Sequence, residues 1–262
     1  MDGRLSLDVG REGRIVTVTL NGPDEENRLG PDVLRGLEAL AAGLGEDPDA
    51  QVIVLTGAGR EFFSAGILNP AIRARHSKDE ITAIVRLANR VYDALEVLPQ
   101  ITIAALNGIT RAGAAELALA CDIRLAARHA TFAMPEARWG GFPGAGGPVR
   151  LPAVVGRGRA LEMICTGREV GAEEMERIGL VLAVHPAERL LDEAQTLAGR
   201  ITECGPLATR GAKRVALAGA MSGFAAARTL SDALRHQLEW SRDIDEGIAA
   251  HREGRTPKFT GR

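Results

Sequence analysis

The chain has 262 residues, 45% of them apolar and 25% charged, a balance ordinary for a folded globular protein and a length that allows one large domain with a smaller appendage. A formal charge of −2, with one Tyr and two Trp, supplies neither the basic stripe nor the aromatic platforms that nucleic-acid binding requires. No run approaches the ~18 apolar residues of a membrane span, and the opening MDGRLSLDVGREG lacks the order of a secretory signal, so a cytoplasmic protein with no nucleic-acid or membrane partner is expected.

In chain order, alternation over Leu5 to Val9 and Ile15 to Leu20, separated by a turn at Gly10 to Gly13, predicts a hairpin. Pro31 stands at the first position of a helix whose apolar residues Leu34, Leu37, Ala41 and Leu44 recur until Gly45 stops them. Val52 to Thr56 reads as a buried strand, ended by Gly57-Ala58-Gly59. The pattern Ile81, Ile84, Val85, Ala88, Val91, Tyr92, Leu95 marks a long helix before Pro99. Then come a strand over Ile101 to Leu106, a helix from Gly113 and a strand over Asp122 to Ala126. Strands alternating with helices in this way predict an α/β architecture with crossover connections.

Beyond Gly147, short helices are expected over Arg150 to Val155, Ala160 to Cys165 and Ala172 to Ile178, then a last strand over Val181 to Val184 and a helix over Leu190 to Ile201. From Pro206 three helical patterns follow, with Val215, Leu217, Leu230, Leu234, Leu238 and Ile244 on apolar faces. So small a helical tail cannot bury those faces within itself, so it is expected to pack on the main domain or on another subunit. Cys121, Cys165 and Cys204 are widely spaced within apolar helical patterns and read as core thiols of a reduced compartment, with no metal implied.

The chemistry concentrates between Asn107 and Gly147. Gly113 begins the Ala-rich run and is expected to supply a free N–H at a helix start. Glu116 falls in the first turn of that helix, where the macrodipole favours its carboxylate, on a segment apolar all round and therefore dry. A first-turn Glu is more often a capping partner, and Glu136, after Pro135, equally fits a surface loop. Other motifs are missing: GAGGPV at 144–149 lacks the third Gly of a dinucleotide fingerprint, no phosphate-binding GxxxxGK[ST] occurs, and Ser64 lacks a nucleophile elbow. None of the five histidines has a partner at metal or triad spacing.

A second block reinforces the first. Thr56-Gly57-Ala58-Gly59 and Phe63-Ser64-Ala65-Gly66, followed by Asn107-Gly108, Gly113, Glu116-Leu117-Ala118, Cys121-Asp122-Ile123, Pro135-Glu136, Gly140 and Pro143-Gly144-Ala145-Gly146-Gly147, resemble the signature of the crotonase, or enoyl-CoA hydratase/isomerase, superfamily. The likeness extends through Arg150-Leu151 and Gly179-Leu180-Val181 to Pro257-Lys258-Phe259. It implies a crotonase-like spiral of ββα units over residues 1–200 with the active site, and a helical domain over 201–262 that forms homotrimers or homohexamers.

The same resemblance implies acyl-CoA ligands. By matching positions, the N–H groups of Ile67 and Gly113 would form an oxyanion hole, the Ala65 carbonyl would receive the adenine amino group, and Gly66, Leu68, Trp139 and Gly144 would flank the substrate, although Trp139 equally fits a core position. Glu116 and Glu136 match the two acid/base glutamates of hydratases, and having both points to addition of water across the 2,3 double bond of an enoyl-CoA. No metal or redox cofactor is then required, coenzyme A being part of the substrate. The alternatives are another crotonase-type reaction, such as isomerisation, hydrolysis or decarboxylation, or a non-enzymatic scaffold or RNA-binding role. The chain departs from the pattern at Leu68, where an acid is usual, at Ala112 and Ala114, where glycines are usual, at Arg111, and at Glu25-Glu26, where a basic residue often meets the coenzyme.

Overall fold

A computed structural model describes residues 6–262; Leu5, the first residue of the expected hairpin, lies outside the described residues. β1 (Ser6–Glu12) and β2 (Ile15–Asn21) pair antiparallel in a register that sets Glu12 opposite Ile15, so the turn is Gly13-Arg14. The earlier turn expected at Gly10 does not form, because Gly13 takes the left-handed conformation, φ 56°, that a tight reversal needs. α1 (Pro31–Gly45) begins at its proline and buries Val33, Leu34, Leu37, Ala41 and Leu44.

The spiral is built from pairs of strands. β3 (Val52–Gly57) is buried along its whole length, and the chain then turns into β4 (Phe62–Ser64). After the single-turn α2 (Pro70–Arg73), α3 (Lys78–Glu96) starts from a capping box in which Ser77 and Glu80 satisfy each other's backbone N–H. β5 (Ile101–Leu106) and β6 (Ile109–Arg111) repeat the step, followed by α4 (Gly113–Ala120). β7 (Ile123–Ala127) and β8 (Thr131–Ala133) repeat it again, before α5 (Gly147–Val155) and α6 (Arg157–Thr166). β9 (Glu169–Gly171), α7 (Ala172–Arg177) and β10 (Ala183–His185) lead to α8 (Leu190–Thr202).

The long strands form a six-stranded sheet in the order β1-β2-β3-β5-β7-β10, parallel except at the β1–β2 hairpin. The short ones form a second sheet, β4-β6-β8-β9. Each turn of the chain thus adds one strand to each sheet, which is the spiral of ββα units expected from the resemblance. The second sheet was not foreseen: three-residue strands carry too few residues to display a period.

α9 (Pro206–Ser222), α10 (Phe224–Glu239) and α11 (Arg242–Glu253) complete the chain, and no strand follows Pro206 among the described residues. α9 is held to the sheets by a buried polar lock. Lys213 Nζ donates to Asp122 at 2.7 Å and to the Gln100 carbonyl at 2.9 Å, while Asp122 also accepts from the Thr102 N–H and hydroxyl. Gln51 donates to the carbonyls of Ile201 and Cys204, joining the end of α8 to β3. Among the described residues no helix is long and apolar enough to cross a membrane.

The cysteine expectation needs correcting. Cys121 is buried, but Cys165 and Cys204 are exposed: Cys165 lies on the outer face of α6, and Cys204 lies past the end of α8 in the bend before α9.

Lys213→Met removes the cation from this lock and leaves Asp122 with an unpaired, partly buried charge. It should cost on the order of 3 kcal/mol in denaturant unfolding followed by circular dichroism. Adding Asp122→Asn should recover part of that loss.

Candidate active site

The loop between β3 and β4 is fixed by two asparagines. The buried Asn27 donates to the carbonyls of Ala58 and Phe62. Asn107 accepts from the Gly57 N–H at 2.9 Å and donates to the carbonyls of Gly59 and Phe62. The chain leaves β4 through Gly66 at φ 85°. A Cβ there would stand 2.4 Å from the Arg111 carbonyl and 3.0 Å from the Gly113 nitrogen, so only glycine allows the two backbones to approach this closely. Ile67 therefore lies against Gly113, where an added Cβ would come 2.6 Å from the Ile67 side chain.

Among the described residues, neither the Ile67 nor the Gly113 N–H donates to a protein acceptor. These are the two donors expected to hold an oxyanion. The turn into α4 is strained, because Ala112 adopts φ 53°, ψ −126°, a conformation an L-residue rarely takes. It is held by the Ala112 N–H on the Ala133 carbonyl at 2.9 Å, and by the fully buried Tyr92, whose hydroxyl donates to the Gly113 carbonyl at 2.9 Å. The sequence singled out Tyr92 only as a core position of α3; that it is the only tyrosine, on a fully buried face, was the available signal.

Glu116 is 3% exposed, and it does not cap its own helix. Its Oε1 accepts the N–H groups of Ala145 at 2.7 Å and Gly147 at 2.8 Å, which belong to the loop entering α5. That loop is braced from behind by Arg150, which donates to the Ala145 carbonyl and pairs with Asp93 at 2.6 Å and Glu96 at 2.8 Å. Burial nevertheless pushes Glu116 up to about 7, against the lowering effect of the Gly147 N–H and with repulsion from Glu136 added. Glu136, in the 3-10 turn Pro135–Trp139, is also pushed up to about 7 by burial, and its buried Oε2 has no partner among the described residues.

Both acids face one small cavity of about 70 Å³, whose other walls include Ile67, Leu68, Gly113, Trp139 and Gly144. The expected Leu68, Trp139 and Gly144 are thus brought together with the acids, and Arg73, Val85 and Phe142 join them without having been foreseen. Ala65 and Gly66 do not line it; they lie behind the Ile67 N–H, buried or in close backbone contact. Trp139, 37% exposed, is a wall and not a core residue. Arg111, the unusual neighbour of Gly113, is turned outward to Glu169 at 2.9 Å and leaves the cavity untouched. On the other side of Ile67 and Leu68 a larger cleft of about 660 Å³ opens, lined also by Arg28, Pro31, Ile72 and His76. Glu26, one of the acidic pair before Asn27, is engaged by Arg28.

A carboxyl held near 7 when its ordinary value is 4.5 destabilises the fold at neutral pH. The folded state keeps its proton while the unfolded chain releases one, so the stability contribution falls as pH rises from about 4.5 to about 7 and is constant above. Glu116→Gln keeps an oxygen for both N–H groups. It should therefore stabilise the protein by on the order of 3 kcal/mol at pH 8 and hardly at pH 4, read by thermal unfolding at both values.

With this geometry established, similarity to known proteins is informative. Residues 10–262 match the family model described as enoyl-CoA hydratase/isomerase. The chain is 33% identical to the crotonyl-CoA hydratase of Syntrophomonas wolfei over 249 residues, covering 95% of each. It is 34% identical to the short-chain-enoyl-CoA hydratase of Clostridium acetobutylicum over 204 residues, 78% of each. The crystal structure of an enoyl-CoA hydratase from Bacillus anthracis superposes with a TM-score of 0.95 at 34% identity, covering 98% of this chain and 99% of that one. The spiral fold, the paired acids and the match along nearly the whole length lead to one conclusion: this chain belongs to the enoyl-CoA hydratase/isomerase family.

Proposed function

We propose that the protein adds water across the 2,3 double bond of an enoyl-CoA thioester. The observation that carries this reading is the convergence of two free N–H groups and two carboxyls near pKa 7 on one small cavity. Attack of water at Cβ drives negative charge onto the thioester oxygen. Donors from Ile67 and Gly113, fixed before the substrate arrives, stabilise that enolate by ~3–4 kcal/mol each in a dry site. Two carboxyls that both titrate near neutrality hold about one proton between them, so one can act as base while the other acts as acid. Glu116, oriented by Ala145 and Gly147, is assigned to take the proton from water. Glu136, whose Oε2 has no protein partner, is assigned to deliver a proton to Cα.

The coenzyme portion is assigned to the larger cleft beyond Ile67 and Leu68, with Ala65 receiving the adenine amino group and Gly66 shaping the approach. Neither a metal nor a redox group enters this chemistry. Assembly into a trimer or hexamer accords with the apolar groove between α9 and α10, lined by Leu207, Val215, Leu234 and Leu238, and with the exposed Met221, Phe224 and Trp240. Of the cations near the C-terminus, Arg252, Arg255 and Lys258, Arg255 is engaged by Glu246 and Glu253, which leaves Arg252 and Lys258 as the better candidates for coenzyme phosphate. Three unpaired cysteines accord with the reducing cytoplasm.

Glu116→Gln and Glu136→Gln should each lower hydration of a 2-enoyl-CoA by ~10²–10⁴, and the double variant by much less than the product of the two. The wild-type rate should rise toward pH 7 as the base ionises and fall above it as the acid loses its proton. Loss of conjugated absorbance and solvent-deuterium incorporation at Cα provide the readouts. Hydration by Glu116→Gln at the wild-type rate would refute the two-carboxyl mechanism, and an effect confined to one glutamate would favour double-bond migration.

A further inference from the structure

The small cavity and the large cleft share the ridge Ile67-Leu68, and α2 crosses that ridge. Asn69 caps α2 by accepting the Ile72 N–H at 2.8 Å, which fixes the direction of the two residues that end it. Ile72 lines the large cleft, whereas Arg73 lines the small cavity with the two glutamates. Consecutive residues therefore face opposite compartments. If the oxyanion donors at Ile67 and Gly113 mark the thioester, the bulky coenzyme is assigned to the side with about 660 Å³ and the acyl group to the side with about 70 Å³. Arg73 stands on the acyl side.

The remaining walls beyond the glutamates are apolar: Leu68, Val85, Trp139 and Phe142. A guanidinium among them is out of place for a purely hydrocarbon chain. It is also uncommitted, since among the described residues Arg73 forms no ion pair and its side chain makes no hydrogen bond, and position 68, where an acid would face the same cavity, is leucine. Nor is Arg73 a partner of Glu136, whose shift is set by burial with no opposing cation. The guanidinium is exposed at the rim, where it can meet an anion by a two-pronged, charge-assisted contact.

We infer that Arg73 selects an acyl group carrying a distal carboxylate, so that the substrate is the thioester of a short diacid and not of a simple fatty acid. This rests on the acyl-CoA reading above and names the substrate class for the same site. The acyl group of a short diacid extends from the thioester toward the rim of that cavity. The apolar walls would cover its methylene groups, and Arg73 its far end.

The test separates the two readings by using saturated thioesters, which bind without being hydrated. Glutaryl-CoA and valeryl-CoA, alike in length and differing in the terminal carboxylate, are titrated into the protein by calorimetry. Wild type should bind glutaryl-CoA about tenfold more tightly, with the preference shrinking as salt is raised. Arg73→Met should abolish the preference while changing valeryl-CoA affinity far less, and Arg73→Lys should retain part of it. Equal weakening of both thioesters by Arg73→Met would overturn the inference, because the cation would then serve the coenzyme phosphates. So would a wild-type preference for valeryl-CoA, or binding of neither. Hydration of glutaconyl-CoA, the 2-enoyl thioester that carries the same distal carboxylate, measured separately, tests the catalytic proposal: its failure alongside an intact glutaryl preference would defeat hydration and leave the acyl specificity standing.

Discussion

The site depends on keeping one carboxylate dry. Glu116 lies in a helix that is buried on every side, and water is replaced around its Oε1 by two backbone N–H groups from a loop remote in sequence. Those two bonds offset only part of the desolvation, which is why the group still sits near 7. Much of the surrounding architecture follows from holding that loop still. Arg150 braces the Ala145 carbonyl and is itself held by two acids of α3, so α3, α5 and α4 are coupled through one carboxylate.

The spiral supplies what a single βα unit cannot. Successive turns place the end of β4 beside the end of β6, so that Gly66 and Gly113 come into backbone contact although they belong to different turns. The donors need that proximity, and the strain at Ala112 accompanies it. Tyr92 reaches in from α3 to the carbonyl of Gly113, adding a bond from a third element at the point where the backbone is least relaxed. A relaxed turn would direct the N–H groups elsewhere.

Charge is distributed with the same economy. The buried cations Lys213, Arg124 and Arg150 are all bonded to carbonyls or acids within the fold, whereas Arg73 stands at the rim of the acid-lined cavity with no ion-pair partner among the described residues. Buried cations without partners would cost several kcal/mol each, so their pairing is a condition of folding. An exposed one carries no such demand and is free to be used for recognition.

By itself the sequence determined the long elements and the position of the chemistry. The apolar spacing in α1 and α3, the buried run of β3 and the proline at Pro31 are local signals, and each formed as read because burial of one face decides such segments. The glycine-bounded stretches around Ile67 and from Asn107 to Gly147, with Glu116 and Glu136, were likewise visible as residues. Tertiary structure alone decided the rest. The strands of the second sheet are three residues long and owe their conformation to neighbours, not to any pattern of their own. Cys165, on the outer face of α6, and Cys204, just past the end of α8, are exposed because burial of a segment is set by what packs on it. Whether Glu116 caps its helix or receives Ala145 and Gly147, and which compartment Arg73 faces, depend on contacts between segments dozens of residues apart. Such contacts have no local spacing to betray them, since they exist only once the chain has closed on itself.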